Sequence, residues 1–224
     1  ATFEPTDGIT GNAQISVNPS RFTDAAGNNN EASNTVTIAV DTVEPTITIA
    51  SDVSSLKVGE TATLTISLTE ASTDFAQGDL TVTGGTITAF SGSGTSYTAT
   101  FEPTDGITGN AQISVNTSKF TDAAGNNNEV SNTVTIAVDT VEPTISIASD
   151  VPSLKVGETA TLTITLSEGS SNFKKEDITV SGGEITGFFG SGTSYTGTFR
   201  PDENFTGNAQ ISVDTSSFSD AAGN

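Results

Sequence analysis

The sequence predicts an all-β protein, a set of tandem immunoglobulin-like β-sandwich domains of about seven strands each in an elongated array. Three observations predict it. Long segments recur at a fixed spacing, apolar and polar residues alternate in short runs, and Gly, Asn, Asp or Pro bounds each run.

The repeat sets the frame. ATFEPTDGITGNAQISVN opens at Ala1 and again at Ala99, and VDTVEPTI surrounds Asp41 and, 98 residues on, Asp139. FTDAAGN begins at Phe22 and Phe120, and FSDAAGN at Phe218. Segment 1–42 differs from 99–140 only at Pro19/Thr117, Arg21/Lys119 and Ala32/Val130. A solenoid repeat runs roughly 20–45 residues, so this period is too long for one and matches a whole small domain. The register makes 1–42 the C-terminal part of one repeat, 43–140 a complete repeat, and 141–224 a repeat lacking its last strand.

Within 43–140 the strands follow in order. Thr46–Ala50 alternates, and Thr61–Leu68 puts Ala62, Leu64, Ile66 and Leu68 on one face. Leu80–Thr83, Thr86–Phe90, Ser96–Phe101, Ala111–Val115 and Thr133–Val138 complete the set. Thr, Val and Ile dominate these runs, as strands favour. No window holds a 3.6-residue period. Between repeats the chain reads VDTVEPT, in which Pro143 fixes one φ and biases Glu142 to an extended conformation. That predicts a short, stiff hinge.

Composition excludes several functions. The net charge is −20 and the pI about 4.1, whereas nucleic acid and anionic membranes need a basic face. No apolar run approaches the roughly 20 residues of a membrane span. There is no Cys, His, Met or Trp. Neither a Ser-His nor a Cys-His nucleophile pair can form, so the chain is not expected to be an enzyme. A pair of carboxylates could in principle cleave a glycosidic bond. Near-identical tandem copies without long loops weigh against it.

The acidic residues cluster. Asp41 and Glu44 lie in the linker leading into the complete repeat. In a sandwich of this topology, the loops after the second and sixth strands sit at the same end as the N-terminus. Those loops carry Glu70 with Asp74, and Asp122 with Asn126. Asp41, Glu44, Glu70, Asp122 and Asn126 should therefore converge at one junction, and Asp139, Glu142, Glu168, Asp220 and Asn224 at the next. The alternative is a solvated acidic surface that keeps the chain soluble. Converging carboxylates without His or Cys suit Ca2+, which takes 6–8 oxygens. Neither an EF-hand loop nor a glycine-rich calcium nonapeptide is present.

The combination VDTVEPTITIASDV, LKVGETATLTISLTE, GDLTVTGG, GSGTSYTATFEPT, FTDAAGN and NTVTIAVDT resembles the bacterial immunoglobulin-like repeats of giant secreted adhesins. These are the RTX-type and biofilm-associated adhesins exported by type I secretion. The resemblance spans the whole chain. It implies a β-sandwich extender at the bacterial cell surface, projecting a distal binding domain, with Ca2+ at junctions between neighbouring repeats. On that resemblance Asp41, Asp139, Asp122, Asp220, Asn126 and Glu70 gain as ligand candidates, while Asp74 weakens because the next copy carries Asn172.

A direct ligand-binding module is the alternative. It would need exposed aromatics. Phe75, Phe90, Tyr97, Phe101 and Phe120 fall on alternating or loop-anchoring positions and should fill the core, whereas Phe188–Phe189 breaks alternation and should expose one ring. Finally, 141–224 exposes a strand edge. Residues 29–42 could supply the missing strand only from another molecule, giving head-to-tail strand exchange.

Overall fold

The computed structural model describes all 224 residues and contains no α-helix. Fourteen strands run in chain order: β1 Thr10–Ile15, β2 Val36–Asp41, β3 Ile47–Ser51, β4 Ser55–Lys57, β5 Ala62–Ser72, β6 Leu80–Thr83 and β7 Gly85–Pro103. They continue with β8 Thr108–Val115, β9 Val134–Asp139, β10 Ile145–Ser149, β11 Ala160–Ser170, β12 Ile178–Ser181, β13 Gly183–Pro201 and β14 Gln210–Val213.

Alternation builds the central sandwich. One sheet has the order β3-β5-β7 and the other β4-β9-β8-β6. Along β5 every second residue is buried, from Ala62 through Leu64 and Ile66 to Leu68. Facing them from the second sheet are Ala111, Ile113 and Val115 of β8, with Ile136 and Val138 of β9. Two sheets with alternating inward residues are the immunoglobulin-like architecture. Phe75 sits edge-on to Phe90, Tyr97 and Phe120, with ring centroids 5.7, 5.0 and 5.0 Å away. The Tyr97 hydroxyl donates to the Ser72 carbonyl at 3.2 Å, so the ring is buried without an orphaned polar group.

Three details depart from the pattern read in the sequence. β4 is too short to alternate and was not expected. It pairs parallel to β9 and places Lys57 opposite Asp139. The runs Thr86–Phe90 and Ser96–Phe101 form one extended stretch, β7, which folds back on itself. Gly85 lies against Phe101 and the Glu102 carbonyl, and Gly92 against the Ser96 carbonyl and Tyr97. Gly92 and Gly94 turn the chain with positive φ of 131° and 66°. A Cβ at Gly85 would lie 2.3 Å from that carbonyl, so only glycine fits there. Third, β5 extends past Leu68. Its register against β7 shifts between Ser67 and Ser72, and Glu70 lies inside that irregularity.

The following repeat copies the plan in part. β10-β11-β13 forms one sheet and the pair β12-β14 the other. Its core of ten buried residues includes Phe173, Tyr195 and Phe218, and with Phe188 these keep the aromatic set. Phe188 packs against this core, whereas Phe189 is 73% exposed, so the break in alternation does put one ring in solvent. At the N-terminus β1 and β2 form an isolated two-stranded sheet. It has no second sheet to bury against, and Ile15, Val36 and Ile38 stay exposed.

Candidate functional site

Hydrogen bonds of the protein alone hold the linker. The buried Thr140 hydroxyl donates to the Thr104 carbonyl at 2.8 Å and accepts from the Ile107 amide at 3.0 Å. Thr42 repeats this with Thr6 and Ile9. These bonds pin the end of one repeat just before the next begins. Thr108 then donates to Asp139 Oδ1 at 2.9 Å, as Thr10 does to Asp41 Oδ1 at 2.8 Å. One oxygen of each linker carboxylate is thus fixed.

Asp122 comes from the loop after β8. Its Oδ1 accepts from the amides of Ala124, Gly125 and Asn126 at 2.8–2.9 Å, and its Oδ2 from the Asn126 side chain at 2.8 Å. Gly125 makes this tight loop possible with a φ of 92°. Burial pushes the Asp122 carboxyl up, but the Asn126 and backbone donors outweigh it and hold it below the ordinary aspartate value. Asp220 is held down in the same way, with Asn224 as donor.

Glu70 is the third member. It continues the alternation of β5 between the buried Leu68 and Ser72, so it stays half-buried on the inward face, in the stretch where the register against β7 shifts. No hydrogen bond reaches its carboxylate. Burial, and then the charges of Asp41 and Asp122, raise its pKa above the ordinary glutamate value. Glu168 is raised by burial and by Asp139 and Asp220. Ligand oxygens of Asp41, Glu70 and Asp122 lie within 4.8 Å of one another, and those of Asp139, Glu168 and Asp220 do the same. The chain's one ion pair, Arg200–Glu184, lies in β13, so no basic side chain pairs with either group.

The structure therefore brings together three of the five expected residues at each junction as carboxylate neighbours. Glu44 and Glu142 are exposed and belong to neither group. Asn126 and Asn224 adjoin the groups as donors. The Asn126 amide bridges Asp122 to the Asp41 carbonyl, and that of Asn224 bridges Asp220 to the Asp139 carbonyl. At the second junction two further bonds cross between repeats. Val58 N–H donates to Asn224 Oδ1, and Lys57 Nζ to the Gly223 carbonyl, both at 2.8 Å. Sequence reading missed Lys57 because its role depends on the short parallel strand β4. Replacing Lys57 and Asn224 together by alanine is expected to loosen the second junction with or without added cation. At about 1 kcal/mol per bond, the docked arrangement should weaken by tenfold or more. Paired spin-label distances across the junction would broaden, and an unchanged distribution would contradict the contact.

Asp74 has a structural task. It accepts from the Ser72 hydroxyl at 2.7 Å and from the Thr121 amide and hydroxyl at 3.1 Å each. Asn172 makes the corresponding contacts to Ser219. Asp74→Asn should thus be nearly neutral, while Asp74→Ala should cost about 1 kcal/mol. The Ser72 hydroxyl, then the Thr121 amide, hold the Asp74 carboxyl below its usual value. Its contribution is present above the ordinary aspartate pKa and is lost as pH falls through the lowered one. Acid titration of melting temperature for wild type against Asp74→Asn checks this.

Both sandwiches match the bacterial Ig-like domain, over residues 41–138 and 139–224, and the chain belongs to that family. No curated protein matches it. Two similar solved structures are FdeC, a broadly conserved Escherichia coli adhesin, and the Yersinia pseudotuberculosis adhesin InvE. FdeC is 14% identical, with 87% of this chain and 79% of that one covered and a TM-score of 0.40. For InvE the values are 17%, 75%, 49% and 0.30, so the chain spans about half of that structure. At those scores the likeness is loose and bears on neither the site nor the function.

Proposed function

We propose that this chain is a structural extender segment of a bacterial cell-surface adhesin. In this reading it is a rod of Ig-like repeats, stiffened by Ca2+ at its junctions, that carries a distal binding domain outward for adhesion or biofilm formation. One observation carries the reading: the same three-carboxylate group recurs at both junctions, each time uniting the linker with two segments of the following repeat. The donor chemistry fits the ion. All three side chains offer hard oxygens, no nitrogen or sulfur ligand is near, and Glu70 and Glu168 hold carboxylates with no other partner. Asp41, Glu70 and Asp122 would hold one ion, and Asp139, Glu168 and Asp220 the other. The family resemblance of the repeats adds secretion to the cell surface, through a type I system, to this reading.

Extracellular calcium modules bind with Kd of roughly 10⁻⁴–10⁻³ M. With free Ca2+ ten- to a hundredfold above Kd, each site would add about 1.4–2.7 kcal/mol. The test is calorimetric titration with Ca2+, alongside melting and small-angle scattering in Ca2+ and in chelator. Two binding events, a higher melting temperature and a longer maximum dimension in Ca2+ are expected. Absence of binding heat together with identical melting and scattering would overturn the proposal.

A further inference from the structure

At the second junction one loop touches both the carboxylate group and the preceding repeat. Asn224 does so with a single amide. Its Nδ2 donates to Asp220 Oδ2 and to the Asp139 carbonyl, each at 2.9 Å, and its Oδ1 accepts from the Val58 amide at 2.8 Å. The peptide between Gly223 and Asn224 does the same. Its N–H donates to Asp220 Oδ1 at 3.0 Å, and its carbonyl accepts from Lys57 Nζ at 2.8 Å. Gly223 permits this approach, with a φ of 92° and only 3.2 Å between Lys57 Nζ and the place a Cβ would take. Ala221 and Ala222 beside it are exposed, so hydrogen bonds rather than apolar packing carry the contact.

Lys57 and Val58 belong to the turn that closes β4. The Glu60 amide donates to the Lys57 carbonyl at 3.2 Å, the Lys57 amide donates to Glu60 Oε2 at 3.2 Å, and Gly59 has a φ of 76°. The turn therefore aims its outward donors in a fixed direction. We propose, resting on the calcium reading above, that this turn is a positioning element for the cation of the second junction, so that filling the carboxylate group and docking the preceding repeat are coupled. Asp139 and Asp220 are two of the three ligands, and Asn224 is the side chain bonded to both residues. With the Val58 N–H in place the Asn224 amide cannot turn, and both its hydrogens go to those two residues. Without that N–H, Asn224 would have to be ordered at the moment the ion binds, and affinity would fall by the entropy lost.

Lys57 acts through the peptide rather than as a counter-ion. It forms no ion pair with Asp139, Glu168 or Asp220, which leaves those carboxylates to a cation. An ammonium at the carbonyl end of a peptide and a carboxylate at its N–H end polarise it in the same sense, and each bond strengthens the other. Linkage then works in both directions. If the docked turn raises the affinity for the ion, the bound ion holds the turn docked by the same factor. Ca2+ would thus stiffen the second junction through the body of the preceding repeat as well as through the linker.

Val58→Pro isolates the bond. Val58 precedes the positive-φ residue of its turn, a position that proline favours, and the change deletes the N–H without altering charge. Calorimetric titration with Ca2+ reads the two groups one at a time. In Glu70→Gln, where the second group is left to bind, adding Val58→Pro should lower the affinity about fivefold, equal to about 1 kcal/mol. In Glu168→Gln, where the first group is left, it should change nothing. An unaltered affinity of the second group would overturn the coupling, and so would an equal loss at both groups, which would mark a general effect of proline on the fold. The wild-type chain gives the reciprocal reading with no variant at all. Saturating Ca2+ should slow hydrogen exchange of the Val58 amide about fivefold, and unchanged exchange would overturn the coupling. If the wild-type chain binds no Ca2+, the calcium reading itself fails and the coupling falls with it.

Discussion

Glu70→Gln is expected to stabilise the cation-free chain and to remove the calcium response of the first junction. Two unit charges about 4.5 Å apart repel by roughly 3–4 kcal/mol at an effective dielectric near 20. Solvent at the half-exposed Glu70 screens part of this. Asp41 and Asp122 each have donors that offset their charge, and Glu70 has none. Its raised pKa gives the sign. Folding favours the protonated form, so Glu70 is least costly below its unfolded pKa and becomes costly as pH rises through the folded value. Glutamine removes that cost at neutral pH and should make no difference in acid, where wild type is already protonated. The same change deletes a ligand. If Ca2+ adds about 1.4–2.7 kcal/mol at each site, the melting shift per junction is roughly 5–20 °C, given about 4–8 °C per kcal/mol for a domain of this size. In Glu70→Gln that shift should vanish for the first junction and persist for the second, where Glu168→Gln should do the converse. Equal calcium shifts in all three proteins would refute the role of Glu70. A variant less stable than wild type in chelator at neutral pH would refute the repulsion.

The sandwich was legible because it rests on local pattern. Alternation in TATLTISL and the Gly and Asn breaks between runs determine which face is buried, whatever the partner strand. The long β7 was divided in the sequence reading because Gly92 and Gly94 carry a turn signal, yet the chain stays extended on either side of the fold-back. For the junction, the three carboxylates and the asparagine beside them, Asn126 or Asn224, were legible, whereas the strand setting of Glu70, the contact of Lys57 and the exposure of Glu44 and Glu142 were not. Glu70 was placed in a loop but sits in a strand irregularity, which depends on the register between β5 and β7 and leaves no mark in the sequence of β5. Glu44 and Glu142 carry the right charge one residue before the buried Pro45 and Pro143, but the extended backbone there turns their side chains to solvent. Asn128 was passed over among its asparagine neighbours. It is 2% exposed, accepts from the Lys119 and Phe120 amides and donates to the Asn116 and Glu129 carbonyls, so it anchors the whole loop that presents Asp122.

Ile113→Ala and Ile211→Ala make the same chemical change at equivalent positions and are expected to differ about twofold in cost. Ile113 lies under β9 with no exposure, inside a core of seventeen buried residues. Burying an isoleucine and then truncating it to alanine costs about 2–5 kcal/mol, the spread reflecting how far the site collapses. Flanked by Ala111 and Val115 in a sheet covered on this face, Ile113 has little room to relax and should fall in the upper half, about 3–4 kcal/mol. Against a domain stability of about 5–15 kcal/mol, that endangers the repeat. Ile211 is only partly buried, because β14 pairs with β12 on one side alone, so part of its surface is already in water. Its truncation should cost about 1–2 kcal/mol. Denaturant unfolding of each variant measures both, provided the transitions of the two sandwiches are resolved by placing a tryptophan reporter in each. When a copy of residues 127–140 follows Asn224, the cost of Ile211→Ala should rise to match that of Ile113→Ala, because a strand then lies on the second side of β14 as β9 lies beside β8. Equal costs at Ile211 and Ile113 before that strand is added would contradict the dependence of the cost on a second neighbouring strand.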